Sequence, residues 1–153
     1  MISGMAIRIQ RVGHVVLNVR DLERAVAFYR GVLGLREVGR YRGKMAFFSA
    51  TGENHHDLAV LEVGSDAPSP GQNAVGLCHV ALKIGDSLET LRAAKAHLEA
   101  TGVKILRLEN HRVSQSVYLT DPDGNELELY VDDDPRIWRT DPSTVATVEP
   151  LKL

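Results

Sequence analysis

The sequence predicts an α+β protein made of two copies of one βαβββ unit, and three observations support this prediction. A strand-like segment with a histidine occurs twice, and its histidines, His14 and His79, are 65 residues apart. An aspartate that can begin a helix follows each segment, and Asp21 and Asp86 are also 65 residues apart. Each helical pattern is then followed by three short strand-like segments.

The first unit extends from about residue 8 to residue 64. Segment 11–19 is rich in valine, which is typical of a half-buried strand. Asp21 stands at an N-cap position, and apolar residues at helical spacing predict a helix that ends at Gly34. Three strands are expected after this helix, around 35–41, 45–50 and 55–63.

The second unit, about 74–132, follows a Pro/Gly/Ser-rich linker and repeats the pattern. Its helix is expected to end at Gly102, and the sequence DPDGN at 121–125 predicts a hairpin turn between its last two strands. Residues 133–153 form an acidic tail with prolines, expected to cover an opening or to pack on a partner. Strands are expected at 76–84, 103–109, 114–120 and 125–131.

The composition excludes several classes of protein. A length of 153 residues fits one domain, and a net charge of −2 without a Lys/Arg cluster argues against nucleic acid as a partner. No apolar run approaches the ~20 residues of a membrane span. The single cysteine, Cys78, excludes a disulfide framework and is compatible with a cytoplasmic protein.

The parity of side chains along the strands indicates a candidate metal site. His14 and His79 should both project from the sheet face opposite the helices, and Glu126 and Glu128 in the last strand should point to that same side. Two histidines and one carboxylate can bind three adjacent positions of a divalent ion, which leaves open positions for substrate and dioxygen. From the residues alone, either glutamate can be the third ligand.

Structural interpretations compete with this hypothesis. A single histidine in a strand is more often a hydrogen-bonded polar residue than a ligand, and a glutamate at a strand end is usually solvated. Tyr118 can simply line a pocket wall, His111 can be a solvated loop residue, and His56 can be a buried structural residue.

The doubled βαβββ plan, with a histidine at the first strand of each half and a glutamate at the last, resembles the vicinal oxygen chelate superfamily over residues 8–132. The resemblance implies one domain in which the two units form an open, partly closed β-barrel around a metal site. The placement of His14 and His79 is similar to that of the two imidazole ligands in type I extradiol ring-cleavage dioxygenases.

Two local segments strengthen the resemblance to these dioxygenases. Segment 55–59, HHDLA, is similar to a His-His-x-Leu-Ala segment of that family. The run from His111 through VYLTDPDG at 117–124 to Glu128 is nearly the family signature. It departs from the family pattern at Glu109, where a small or β-branched residue is preferred.

The resemblance implies that His14, His79 and Glu128 bind Fe(II), with Ni, Zn or Mn as alternatives, and the register of the signature selects Glu128 over Glu126. The expected substrates are a small aromatic diol of the catechol type and O2, and the expected assembly is a cytoplasmic homodimer. The implied catalytic residues are His56 as acid–base, Tyr118 as a hydrogen-bond donor to the bound diol, and His111 as a substrate contact at the rim.

A second function remains open because of Glu62, which is 48 residues after His14, much as Glu128 is 49 after His79. Segment 59–63 resembles the metal-bearing strand of glyoxalase I, whose two-histidine, two-glutamate site holds Ni or Zn and isomerises a hemithioacetal. That interpretation explains Glu62 but gives no role to the three expected catalytic residues. A third possibility is a metal-free, small-molecule-binding resistance protein of the same fold.

Overall fold

A computed structural model describes residues 7–71 and 73–153 of the chain. The elements of the first module are β1 (Val15–Val19), α1 (Leu22–Val26) continued by a π-helix (Ala27–Val32), β2 (Arg36–Tyr41), β3 (Met45–Ser49) and β4 (Leu58–Glu62). The elements of the second module are β5 (Val80–Gly85), α2 (Leu88–Ala100), β6 (Ile105–Asn110), β7 (Ser114–Thr120) and β8 (Glu126–Asp132). The tail contains α3 (Arg136–Thr140), a 3₁₀-helix (Pro142–Ala146) and β9 (Glu149–Pro150).

The two modules have the same sheet plan. The first sheet has the order β1-β4-β3-β2 and the second has the order β5-β8-β7-β6-β9. In each sheet the first strand of the module is parallel to the last, and the other pairs are antiparallel. The α+β class with two βαβββ modules is therefore confirmed. The sheets are separate, so the arrangement across the described residues is open and contains no closed barrel.

A side chain caps the N-terminus of α1 and of α2, and one of the two capping residues differs from the prediction. Asp21 Oδ1 accepts the Arg24 backbone N–H at 2.8 Å, as predicted. In the second module the cap is Ser87, not Asp86, and the Ser87 hydroxyl accepts the Thr90 N–H at 3.2 Å. Asp86 pairs with Lys83 instead, because that aspartate lies one residue before the cap.

The modules share one core. Apolar residues of both helices and both sheets belong to a single buried cluster. Polar contacts with the 121–125 turn support this packing: the buried Tyr29 hydroxyl donates to Asp121 at 2.9 Å, and the Arg20 guanidinium pairs with Asp123 at 3.3 Å. The helical faces of the modules are thus turned towards each other. No helix in the described ranges is long and apolar enough to cross a membrane.

The tail is part of the second sheet. β9 is antiparallel to β6, and the Leu151 N–H donates to the Leu108 carbonyl at 3.3 Å. Leu151 and Leu153 pack against the core. The end of the tail, residues 149–153, therefore packs on its own chain.

Candidate functional site

The second module brings a histidine and a carboxylate together. His79, directly before β5, places Nε2 3.1 Å from Oε2 of Glu128 in β8. Glu128 is 7% exposed and lies between Ala81 of β5 and Tyr118 of β7. The buried Ser116 hydroxyl donates to the other carboxylate oxygen at 2.5 Å, which fixes the orientation of the Glu128 side chain.

Two further predicted residues lie beside this pair. The Tyr118 hydroxyl is 3.0 Å from Nε2 of His111, and the Tyr118 ring stands edge-on to the His79 ring at a centroid distance of 5.5 Å. Burial raises the pKa of the Tyr118 phenol, and the negative charges of Glu128 and Glu109 raise it further. Tyr118 therefore remains a neutral phenol that can donate a hydrogen bond.

Arg107 distinguishes Glu126 from Glu128, the two glutamates that the strand pattern offered as the third metal ligand. Its guanidinium lies 3.8 Å from the centroid of the Tyr118 ring and donates to Glu126 at 2.6 Å and to Glu109 at 3.0 Å. Glu126 is thereby paired with a cation, while Glu128 contacts His79.

The first module contributes a cluster of imidazoles. His14, directly before β1, has its ring centroid 4.2 Å from that of His56 and 6.2 Å from that of His55. The Asn54 side-chain amide donates to the Gly13 carbonyl at 3.0 Å and to the His56 carbonyl at 2.7 Å. Asn54 thus joins the backbone next to His14 to the loop that carries His56.

The strand predicted at 55–63 would point His55 and His56 to opposite faces of the sheet, and this prediction is wrong at its start. Alternation holds only in pleated strand, and both residues lie in the loop before β4, which begins at Leu58. Their rings are in contact, with centroids 4.4 Å apart. Asp57 orders this loop because its carboxylate accepts the Ala50 N–H at 2.7 Å.

The surroundings of His56 favour its neutral form. Partial burial lowers the pKa of His56, and the neighbouring imidazoles of His14 and His55 lower it further. A neutral imidazole in this position is able to accept a proton.

The structure does not gather all the predicted ligands within one chain. His79 and Glu128 are in contact, while His14 lies with His55 and His56. Within residues 7–71 and 73–153, no group of three or more His, Cys, Asp or Glu side chains is arranged to hold one metal ion. The candidate site consists of two halves, one in each module.

Strand register identifies the counterpart of Glu128 in the first module. The β1–β4 register pairs Val16 with Ala59, and the β5–β8 register pairs Ala81 with Glu128. Val16 and Ala81 each lie two residues after the predicted histidine ligand of their module. Ala59, with only a methyl group, therefore occupies the position that corresponds to Glu128.

Glu62 has a structural contact of its own. Its Oε2 accepts the Leu22 backbone N–H at 2.9 Å, at the first residue of α1. A carboxylate at a helix N-terminus satisfies a free N–H group and interacts favourably with the helix dipole. In this conformation Glu62 supports the helix.

Sequence reasoning missed three side chains that support the site. Ser116 could have been identified from the sequence, because it lies two residues before Tyr118 and so shares its face of β7. Arg107 is harder to identify from the sequence, since this requires the β6–β7 register, in which Arg107 is opposite Tyr118. Asn54 carries no signal beyond its closeness to His55 and His56 in the chain.

Comparisons with known proteins agree with this geometry. The sequence profile of the Glyoxalase/Bleomycin resistance protein/Dioxygenase superfamily matches residues 11–129. A glyoxylase/bleomycin resistance protein/dioxygenase domain from Frankia sp. EAN1pec superimposes with a TM-score of 0.68 and 21% sequence identity, covering 82% of this chain and 99% of that one. The chain therefore belongs to the Glyoxalase/Bleomycin resistance protein/Dioxygenase superfamily, which includes dioxygenases and other enzymes.

Two curated relatives represent different activities within the superfamily. Catechol-2,3-dioxygenase of Bacillus subtilis (strain 168) is 35% identical over 131 residues, which is 85% of this chain but 44% of that protein. Metallothiol transferase FosB of Lysinibacillus sphaericus (strain C3-41) is 27% identical over 126 residues, covering 80% of this chain and 82% of that protein. The chain thus spans less than half the length of the dioxygenase and most of the length of the transferase.

Proposed function

We propose that the protein is an extradiol dioxygenase, which cleaves a catechol-type ring with O2 at a non-haem Fe(II) ion held by His14, His79 and Glu128. The observation that carries the proposal is the contact of His79 with Glu128 beside a buried phenol and a second imidazole. The similarity to a catechol dioxygenase over 85% of this chain supports it.

The His79–Glu128 pair fits a divalent ion. Two ligand atoms that each lie about 2.1 Å from a metal, at right angles, are about 3.0 Å apart. The separation of His79 Nε2 and Glu128 Oε2 is 3.1 Å. Ser116 engages only Oε1, which leaves Oε2 available. Nδ1 of His79 is buried without a hydrogen-bond partner among the described residues. The contact of the ring with a polar group is therefore the one between Nε2 and Glu128, where a metal ion would bind.

Bound Fe(II) would supply the redox chemistry and open positions for both diol oxygens and O2. The residues of the chain handle protons and orient the substrate. Neutral His56 accepts a proton from a diol hydroxyl and later returns it. The Tyr118 hydroxyl donates its one hydrogen to His111, which orients it, so the Tyr118 oxygen is free to accept a hydrogen bond from a hydroxyl of the diol.

We further propose that a second copy of the chain completes the site, so that each site combines His14 and His56 of one copy with His79, Glu128 and Tyr118 of the other. Three observations support a homodimer of this kind. The ligands are divided between two halves of one chain. His14 and His79 directly precede β1 and β5, and among the described residues each of these strands lies at the edge of its sheet. Apolar side chains are exposed on or beside these edges, at Val16, Val75 and Leu77.

The glyoxalase-like alternative is less well supported. It needs a second glutamate ligand, but the position that corresponds to Glu128 is Ala59, and Glu62 accepts a hydrogen bond from the start of α1. A two-histidine, one-glutamate set leaves about three positions of an octahedral ion free, which suits a bidentate diol and O2.

Transfer of a thiol group is a second candidate function. The observation that favours it is the match of this chain to 82% of the length of a metallothiol transferase. It leaves the proton-accepting His56 and the Tyr118–His111 pair without an evident role. Assays for O2 uptake and for thiol consumption separate the two functions.

The test is reconstitution of the purified, metal-free chain under anaerobic conditions with Fe(II), Mn, Ni or Zn. Each form is assayed for O2 consumption with a panel of catechols, for hemithioacetal isomerisation, and for thiol consumption with fosfomycin, because the fosfomycin resistance protein FosX from Mesorhizobium Loti has a similar structure (TM-score 0.57, 25% sequence identity). We expect O2 uptake and a yellow ring-cleavage product with Fe(II), and neither with Ni or Zn. Glu128→Gln should abolish the uptake, whereas Glu99→Gln, the same change on the exposed face of α2, should not. Isomerase or thiol-transfer activity without O2 uptake would reject the proposal.

A further inference from the structure

The C-terminal tail contributes an atom to the candidate site. The carbonyl oxygen of Thr147 lies 2.8 Å from Nδ1 of His111, and the Tyr118 hydroxyl lies 3.0 Å from Nε2 of the same ring. A carbonyl oxygen only accepts hydrogen bonds, so Nδ1 must carry a proton. In the neutral ring Nε2 is then an acceptor, and the Tyr118 hydroxyl donates to it.

The tail is fixed in register with the residues that carry His111. β9 pairs Glu149 with Asn110, the residue directly before His111, and Pro150 with Glu109. The Leu151 N–H donates to the backbone of β6, and the Leu151 side chain packs against the core. The position of the Thr147 carbonyl and that of the His111 ring are therefore coupled through one strand pair.

The tail also stabilises the turn that presents His111. Arg112 has φ 64°, in the left-handed region that non-glycine residues rarely adopt. Asn110 Oδ1 accepts the Arg112 N–H at 2.8 Å, and Glu149 of β9 accepts from the Arg112 guanidinium at 2.7 Å and 3.1 Å. A strained residue next to His111 is thus supported by a carboxylate of the tail.

A competing acceptor lies on the other side of the His111 ring. Glu109 Oε2 is 3.5 Å from Nε2, and this carboxylate favours a proton on Nε2. The Thr147 carbonyl favours the opposite tautomer because it requires the proton on Nδ1. Without the tail, the ring should place its proton on Nε2, and the Tyr118 hydroxyl hydrogen should turn from His111 to the Glu128 carboxylate, which also lies within hydrogen-bonding reach.

We propose that tail residues 147–151 are a positioning element of the site, which holds His111 in its Nδ1-protonated form and so directs the Tyr118 hydroxyl. The tail then acts through His111 and needs no contact with substrate. This inference rests on the proposed function for its kinetic test alone, since the tautomer can be measured without turnover.

The first test is nitrogen NMR of the ¹⁵N-labelled full chain at about pH 8.5, well above the ordinary imidazole pKa of ~6.5. The His111 signals are assigned by their loss in His111→Gln. We expect the Nδ1–H tautomer in the natural chain and the Nε2–H tautomer in Glu149→Ala and in a chain that ends at Ala146. Glu99→Ala removes an exposed carboxylate that pairs with Lys95 on α2, and it should leave the tautomer unchanged.

If the shortened chain does not fold, as judged by its thermal unfolding, Glu149→Ala decides the result. An Nε2–H ring in the natural chain would overturn the proposal, as would an unchanged tautomer in the folded tail variants. Absence of dioxygenase activity would reject the proposed function but not this inference.

The second test distinguishes positioning from a general loss of structure. Glu149→Ala should lower kcat about 10-fold with little change in KM, which is less than the 10²–10⁴-fold contribution of an acid–base group itself because Glu149 acts only through His111. In a His111→Gln background the same substitution should cause no further loss, because the two residues act through one ring. An equal loss in both backgrounds would show that the tail acts only on stability and would overturn the proposal.

Discussion

Ala59 occupies, in the first module, the position that Glu128 occupies in the second. Glu128 contacts His79, whereas the methyl group of Ala59 cannot bind a metal ion. The repeat is therefore symmetric in its fold but not in the side chains at these two positions, and the proposed metal site takes one carboxylate from them.

This asymmetry predicts different effects for two identical substitutions. Glu128→Gln should lower the bound metal at least about 10-fold, since loss of a ligand carboxylate should cost as much as the 10–100-fold losses seen for residues behind the ligands. Glu62→Gln should leave the metal content nearly unchanged, because Glu62 contacts the Leu22 N–H. Metal analysis of the two purified proteins measures both effects.

A separate effect on stability is expected at Glu62. Glu62→Ala should lower the free energy of unfolding by about 1 kcal/mol, as for other side chains that cap a helix N-terminus, and urea unfolding measures it. An equal loss of metal in Glu62→Gln and Glu128→Gln would contradict the one-carboxylate site and support the isomerase instead.

The sequence predicted the repeat well because local rules determine it. Asp21 and Gly34 bound the first helix as their conformational preferences require, and the 121–125 turn joins β7 and β8. The prediction failed at His55 and His56 because no rule of periodicity shows that β4 begins only at Leu58, after the loop that Asp57 orders.

The division of the site could not be predicted from the sequence. Which faces of the two modules meet depends on long-range contacts such as Tyr29 with Asp121. Parity along a strand shows which side chains share a sheet face, but it does not show whether two sheets face each other. The contact of the Thr147 carbonyl with His111 could not be predicted either, because every residue has a backbone carbonyl and the residue type does not reveal its partner.

The Tyr29–Asp121 hydrogen bond should contribute measurably to the stability of the two-module core. The Tyr29 side chain is fully buried and donates to Asp121 at 2.9 Å. Tyr29→Phe leaves the buried acceptor with one partner fewer and should lower the free energy of unfolding by about 1–3 kcal/mol. Tyr41→Phe, at a tyrosine that is 51% exposed, is the control and should change it by less than about 0.5 kcal/mol. Similar midpoints of urea unfolding for both variants would contradict the prediction.

Asp57 should make the loop before β4 sensitive to acid. The Ala50 N–H, with Asn54 and Ser49, holds the pKa of Asp57 below its ordinary value of 3.8. A depressed carboxyl pKa contributes stability that is present above the ordinary value and is lost as the pH falls through the folded one.

Asp57→Asn should therefore lower the unfolding temperature most near neutral pH, and the difference from the natural chain should shrink steadily below about pH 4. Thermal unfolding of the metal-free proteins at a series of pH values measures this difference. Asp66→Asn, in the exposed linker, should show no such trend. A constant difference at all pH values would mean that the carboxylate charge of Asp57 is not involved.

A site shared between two copies predicts complementation between damaged chains. His14→Ala keeps the half that contains His79 and Glu128, and Glu128→Ala keeps the half that contains His14. Neither variant alone should bind Fe(II) tightly. After equal amounts are mixed and their subunits exchanged in mild urea, half of the dimers are mixed and each has one intact site. The mixture should therefore regain about a quarter of the metal and activity of the natural protein.

The matched control mixes His79→Ala with Glu128→Ala. These two residues lie in the same half, so every site in the mixed dimer lacks one ligand and nothing should be regained. Mass spectrometry of the intact assemblies establishes that mixed dimers form in both experiments. If mixed dimers form and the His14→Ala and Glu128→Ala pair still regains no metal, His14 does not complete the site of a second copy. The alternative would then be that the modules of a single chain rearrange when metal binds.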